Sequence, residues 1–225
     1  MPAADVPWVL DRLLAAYGAP PGHRRLPALD ELVLTILSQN TSDVNRDRAY
    51  TAMRERFPTW HDVLAAPPGE LVDALRPGGL ANQKAPRLQA VLATLAAGPH
   101  GLDLEWLAGL DAEDALNWLT ALPGVGIKTA SCVLLFSLDE PVMPVDTHVH
   151  RVASRLGLIP PGTNAAAAHE LLTAATPPGR MLEAHLLLIA HGRRTCRAQR
   201  PLCSGCPLLE RCPYGQAQVA GGSAA

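Results

Sequence analysis

The nine residues Leu122-Pro123-Gly124-Val125-Gly126-Ile127-Lys128-Thr129-Ala130 restrict this chain more than any other stretch. Proline followed by two spaced glycines predicts a tight turn, and Ala130, Val133, Leu134 and Leu135 continue beyond it in helical spacing. Asp111 to Leu122 reads as a helix running straight into that turn, so the three pieces predict a helix-hairpin-helix. Gly124 and Gly126 carry no Cβ, which lets the backbone come within hydrogen-bonding distance of a ligand. The N–H groups of the turn and of the helix behind it lack intrahelical partners and form an anion site, for which a phosphodiester is the obvious occupant.

Lys128 falls in the first turn of the second helix, where the helix dipole disfavours an ammonium by about 0.3–1 kcal/mol. That is less than one pKa unit, so a lysine acting as a neutral nucleophile needs burial to supply most of the shift. A phosphate-contacting lysine is the simpler reading of these residues. Both stay open at this level.

At 225 residues the chain has room for one large domain or two small ones, and 48% hydrophobic against 18% charged residues marks a globular protein. A formal net charge of −2 argues against binding nucleic acid by bulk electrostatics, leaving local groups to do it. No secretory signal is legible at the start, and no apolar run approaches the roughly 18 residues of a membrane span. A cytosolic protein with no membrane partner is expected.

Residues 6–17 predict a helix with Val6, Val9, Leu10, Leu13 and Leu14 on one face, followed by a proline-rich linker from Ala19 to Pro27. Residues 29–37 read as a buried helix, interrupted by Ser38-Gln39-Asn40-Thr41-Ser42-Asp43, where Ser42 or Asp43 caps the next helix. Gln39 and Asn40 suit either base-edge hydrogen bonds or local backbone bonding. A helix through Phe57 follows, then short pieces at 60–65 and 69–75, then the turn from Pro77 to Asn82. There Asn82 is the expected N-cap, and Leu80 is either packing or an apolar wedge between bases. After a loop at 137–144, Asp146 is placed to cap a helix through Leu156. Asn164 caps another to about Ala175, and Pro178 starts one ending near His191-Gly192. No segment alternates with strand period, so the fold class expected is all-α.

Four of the five cysteines, Cys196, Cys203, Cys206 and Cys212, stand at C-x6-C-x2-C-x5-C spacing, while Cys132 reads as a small buried hydrophobe. Four thiolates so close demand a cation. The single C-x2-C pair with wide flanking gaps ranks a 4Fe–4S cluster ahead of zinc. Arg193, Arg194, Arg197 and Arg200 crowd the same segment, to offset cluster charge, to contact phosphates, or both.

Together, Leu122–Ala130, Val145–Val152 and the segment HGR-x2-C-x6-C-x2-C-x5-C from His191 resemble the endonuclease III family of helix-hairpin-helix DNA glycosylases. The resemblance implies two helical domains with a DNA-binding cleft between them. One is 21–138; the other is 1–20 with 139–225, including a cluster loop at 196–212 and a disordered tail from about 215. By motif match it implies Lys128 as the nucleophile and Asp146 as the catalytic carboxylate of a bifunctional glycosylase and lyase that removes oxidised pyrimidines, forms a Schiff base and nicks by β-elimination. It implies a 4Fe–4S cofactor on the four cysteines, and contacts to damaged or abasic duplex DNA from Gln39, Asn40, Leu80, Gly124, Val125, Gly126 and Arg193. It also implies a monomer working on the nucleoid of a bacterium. Asn40 stands where the family usually has a glutamine, Ala81 where an aromatic is common, and Ile127 where a basic residue is usual. The alternatives are a monofunctional mismatch glycosylase of the same superfamily and a non-enzymatic helix-hairpin-helix protein that only binds DNA.

Overall fold

The computed structural model describes residues 3–222, and every regular element among them is helical. The chain divides into two units, with breaks between Arg24 and Arg25 and between Glu140 and Pro141. The first break lies inside the proline-rich linker. Arg25 belongs to the middle unit because its Nε donates to the Ser137 carbonyl at the end of the unit's last helix.

In the middle unit, helix α2 (Ala28–Ser38) is buried along most of its length and packs on α8 (Ile127–Ser137), the helix that follows the glycine turn. Both are too apolar to sit at a surface, and together they form the unit's centre. Helix α3 (Asp43–Arg56) is polar, buries only Ala49 and Met53, and is capped by Ser42, whose Oγ accepts from the Asn45 N–H at 3.3 Å. Short α4 (Trp60–Ala65) carries a capping box between Thr59 and Asp62, and α5 (Pro68–Leu75) packs on α3. Helix α6 (Ala81–Ala96) and α7 (Ala112–Thr120) complete the unit. The N-cap of α6 is Leu80, in a left-handed conformation, and the expected cap Asn82 is the second residue of the helix. Because the helix has already begun at Ala81, Asn82 has helical backbone and lacks the extended conformation that a capping residue needs.

In the other unit, α1 (Val6–Tyr17) and α9 (Thr147–Leu156) both pack on α11 (Met181–Arg194), and α10 (Ala165–Ala175) is capped by Asn164. At Gly192 a Cβ would lie 2.9 Å from His148 Cβ, so only glycine allows α11 to cross α9 this closely. Residues 215–222, expected as part of a disordered tail, are helical. They belong to α12 (Pro213–Gly222), which packs on α9 with Gly215 against Cys212; 223–225 lie outside the described residues.

Glu31 places a carboxyl group in the centre of the middle unit, being only 5% exposed. Its Oε1 accepts from the Thr35 hydroxyl at 3.0 Å. Burial pushes its pKa up to about 7, against the opposing effects of that hydrogen bond and of the Arg46 and Lys128 charges. The folded state therefore keeps a proton that the unfolded chain releases. Its contribution to stability is fully present below the unfolded value of 4.5 and is lost as pH rises through about 7. Glu31→Gln should raise the melting temperature at about pH 8 and leave it close to wild type at about pH 5. Equal shifts at the two pH values would contradict a buried carboxyl titrating between them.

Candidate nucleic-acid interface and cysteine centre

The hairpin turn closes through a hydrogen bond from the Val125 N–H to the Leu122 carbonyl at 3.1 Å, with Pro123 and Gly124 as its central residues. Gly124 has φ +73°, the left-handed value that the third position of a type II turn requires. Gly126 is the N-cap of α8 and no side chain caps it, so the opening N–H groups of α8 and those of Gly124 and Gly126 remain available. Val125 does not join them. Its side chain is in the core and its N–H is spent on closing the turn, so neither is available to a ligand.

Lys128 is the second residue of α8 and is half-buried, within electrostatic reach of Glu31. The chain has only one other lysine, Lys84. That side chain is buried in α6, where its Nζ donates to the Leu37 carbonyl at 2.7 Å and the Gly78 carbonyl at 2.9 Å, and burial lowers its pKa. Lys84 thereby ties the end of α2 to the turn before α6. It was legible as the one cation on the apolar stripe of α6, yet it went unread.

The two loops that Lys84 joins carry the expected base-contacting residues. Asn40 is exposed in a left-handed conformation at φ 52°, which asparagine tolerates. Leu80 is 43% exposed at φ 53°. A left-handed leucine costs on the order of 1–3 kcal/mol, and its side chain gains little from burial there. Gln39 Oε1 accepts from Arg87 Nη1 at 2.7 Å, and the same guanidinium lies against Gly124, where a Cβ would come 2.7 Å from Arg87 Nε. The middle unit thus brings Gln39, Asn40, Leu80, Gly124 and Gly126 around α6, through Lys84 and Arg87. Arg193 lies exposed on the last turn of α11, in the other unit.

Asp146 fills the capping role its position suggests. Its Oδ1 accepts from the N–H groups of His148 at 2.8 Å and Val149 at 2.7 Å, capping α9. Its Oδ2 has no hydrogen-bond partner among the described residues, so a capping carboxylate still presents one anionic oxygen.

The four cysteines line a single cavity together with Arg155 and Tyr214. Arg155 stacks 4.3 Å over the Tyr214 ring and donates to Cys196 Sγ at 3.4 Å, while the Gly215 N–H donates to Cys212 Sγ at 3.3 Å. Cys206 Sγ sits 3.8 Å from His191 Nε2, and burial pushes the His191 pKa down to about 4, so this neighbour is neutral. Burial, and then the charge of the other cysteines, pushes the Cys206 thiol up to about 11 and raises those of Cys203 and Cys212 as well. Burial of this kind favours the neutral thiols, so the protein's own groups do not by themselves hold four thiolates here. Among the described residues no three of His, Cys, Asp and Glu converge tightly enough to hold a single metal ion. Four cysteine sulfurs around one cavity are a donor set that fits a thiolate-bound metal centre.

A family profile for the HhH-GPD superfamily of base excision DNA repair proteins matches residues 33–178. The chain belongs to that superfamily. Endonuclease III of Thermotoga maritima is 32% identical, over 87% of each chain. A protein of Arabidopsis thaliana provisionally named a DNA glycosylase is 38% identical over 79% of this chain, which spans 58% of that relative's length. A trapped endonuclease III–DNA covalent intermediate superposes with TM-score 0.81 at 29% identity, covering 95% of this chain and 97% of that one. Within HhH-GPD proteins the chain is thus similar to endonuclease III over nearly its whole length.

Lys84→Met removes a buried ammonium and leaves two carbonyls without their donor, at about 2–4 kcal/mol. Urea unfolding should show a loss of that size, and an unchanged midpoint would mean that the Lys84 ties do not hold the two loops.

Proposed function

We propose that this protein is a bifunctional DNA glycosylase and lyase that excises oxidised pyrimidines from duplex DNA, with Lys128 as its nucleophile. One observation carries the assignment: of two side-chain amines in the chain, Lys84 is consumed by two carbonyls, and Lys128 stands half-buried at the mouth of the helix-hairpin-helix turn. In its neutral form the Lys128 amine attacks C1′ of the damaged nucleotide. The C1′–N bond to the base breaks, and the base leaves with its electron pair and takes up a proton. Loss of a proton from the lysine nitrogen and opening of the sugar ring give a protonated Schiff base. Removal of a C2′ proton then expels the 3′ phosphate and nicks the strand. The free oxygen of Asp146 suits stabilisation of positive character on the sugar and the proton transfers. The target base must leave the stack to be reached, and Asn40 and Leu80, exposed and left-handed, suit the space it vacates.

Phosphates on either side of the lesion suit the unpartnered N–H groups of the turn and the Arg193 side chain. Cys196, Cys203, Cys206 and Cys212 would hold a 4Fe–4S cluster, which supplies the positive iron that keeps four thiolates together and so fixes the 196–212 loop. On this reading the protein acts as a monomer on nucleoid DNA in a bacterial cytoplasm. Among the described residues no helix is long and apolar enough to cross a membrane.

Borohydride should trap a covalent adduct between the protein and duplex DNA containing thymine glycol, and Lys128→Ala should abolish it. Base release with no trapped adduct would point to a monofunctional glycosylase. Binding to lesion DNA with neither would leave a DNA-binding protein. Purified protein should contain about four irons per chain, and Cys203→Ser should lose them. Stoichiometric zinc in place of iron would overturn the cluster assignment.

A further inference from the structure

His191 lies in the last turn of α11 and is only 2% exposed. Its carbonyl accepts the N–H groups of Thr195 and Cys196, each at 2.9 Å, so its backbone sets where the 196–212 loop begins. Its ring stands between two further partners. Nδ1 is 2.8 Å from the Tyr17 hydroxyl of α1, and Nε2 is 3.8 Å from Cys206 Sγ. The Tyr17 hydroxyl is in turn 2.8 Å from Thr195 Oγ1. Thr195, Tyr17, His191 and Cys206 therefore form one chain of hydrogen-bonding groups within a single unit. Every group in it can donate or accept while Cys206 is a thiol, so the protons can run either way. A cysteine that ligates a metal is a bare thiolate and only accepts, which fixes the direction of the whole chain. Nε2 must then carry a proton aimed at Cys206. In a ring with one proton Nδ1 is left as an acceptor, takes the Tyr17 hydroxyl proton, and leaves the Tyr17 oxygen to accept from Thr195.

We propose that His191 is a positioning residue for the metal centre: it donates its Nε2–H to the Cys206 thiolate, and Tyr17 with Thr195 holds the ring in the tautomer able to do so. When a cluster takes up an electron, part of the added charge falls on its sulfur ligands. A donor aimed at one of them stabilises the reduced state more than the oxidised one and raises the one-electron potential. The Leu208 N–H also bonds the Cys206 sulfur, so that ligand keeps one donor when the ring is replaced.

This inference rests on the proposed 4Fe–4S reading, and the test separates the two. Iron content and the cluster potential, by protein-film voltammetry on graphite, are measured on the full-length protein and its variants. In His191→Leu the reduced-to-oxidised ratio at a fixed potential should fall about tenfold, the order for one hydrogen bond to a charged group, which is a drop of about 59 mV for one electron. His191→Gln places an amide donor about where Nε2 stood and should recover most of that loss. Tyr17→Phe keeps the aromatic ring but frees Nδ1 to take the proton, so its potential should fall in the same direction by less, with iron content unchanged. His191→Leu at full iron content and wild-type potential would overturn the assignment, and so would a glutamine variant shifted as far as the leucine one. Should His191→Leu lose its iron, Tyr17→Phe decides: an unchanged potential at full iron content rejects the proposal. Wild-type protein without iron would sink the cluster reading itself, and this assignment with it.

Discussion

A buried ammonium organises the loop end of the middle unit. Lys84 carries its charge into a buried site, and the two carbonyls it meets come from the last turn of α2 and from the turn before α6. Because an unpartnered charge there would cost several kcal/mol, the two loops have to stay where those carbonyls are. Arg87, one turn further along α6, extends the same bracket to Gln39 and to the hairpin turn at Gly124. Asn40 and Leu80, both left-handed, each follow closely on a residue held this way, Gln39 and Gly78.

The other unit is organised around cysteine chemistry instead of a buried cation. Its helices α9, α11 and α12 and the loop 196–212 place four sulfurs around one cavity, and Arg155 closes that cavity by stacking on Tyr214 while donating to Cys196 Sγ and to the carbonyls of Arg197 and Ala198. A neutral His191 stands beside Cys206, and its Nδ1 lies 2.8 Å from the Tyr17 hydroxyl of α1, which joins the chain's first helix to the cluster segment.

Much of this was legible in the sequence where local chemistry dictates local structure. A proline and glycine pair fixes a type II turn, an aspartate before a helix caps it, and four closely spaced cysteines end around one cavity. These readings depend only on near neighbours in sequence. What could not be read depends on long-range partners: the Lys84 ties to Leu37, 47 positions away, and the Arg87 bond to Gln39, 48 away. Glu31 was equally hidden, since a carboxylate in an apolar run says nothing about whether it is solvated until α8 covers it. The helix α12 was missed because Gly, Gln and Ala alone do not show that Gly215 will pack on Cys212. Which N–H group of the turn closes it, that of Val125, was likewise not legible from the motif.

An arginine-rich chain with two lysines makes the central claim unusually open to test. The decisive measurement is to reduce the adduct with abasic DNA, digest the protein and locate the modified residue by peptide mass spectrometry. The account requires the sugar to be attached at Lys128 Nζ. Attachment at Lys84 or at the chain's α-amino group would contradict it.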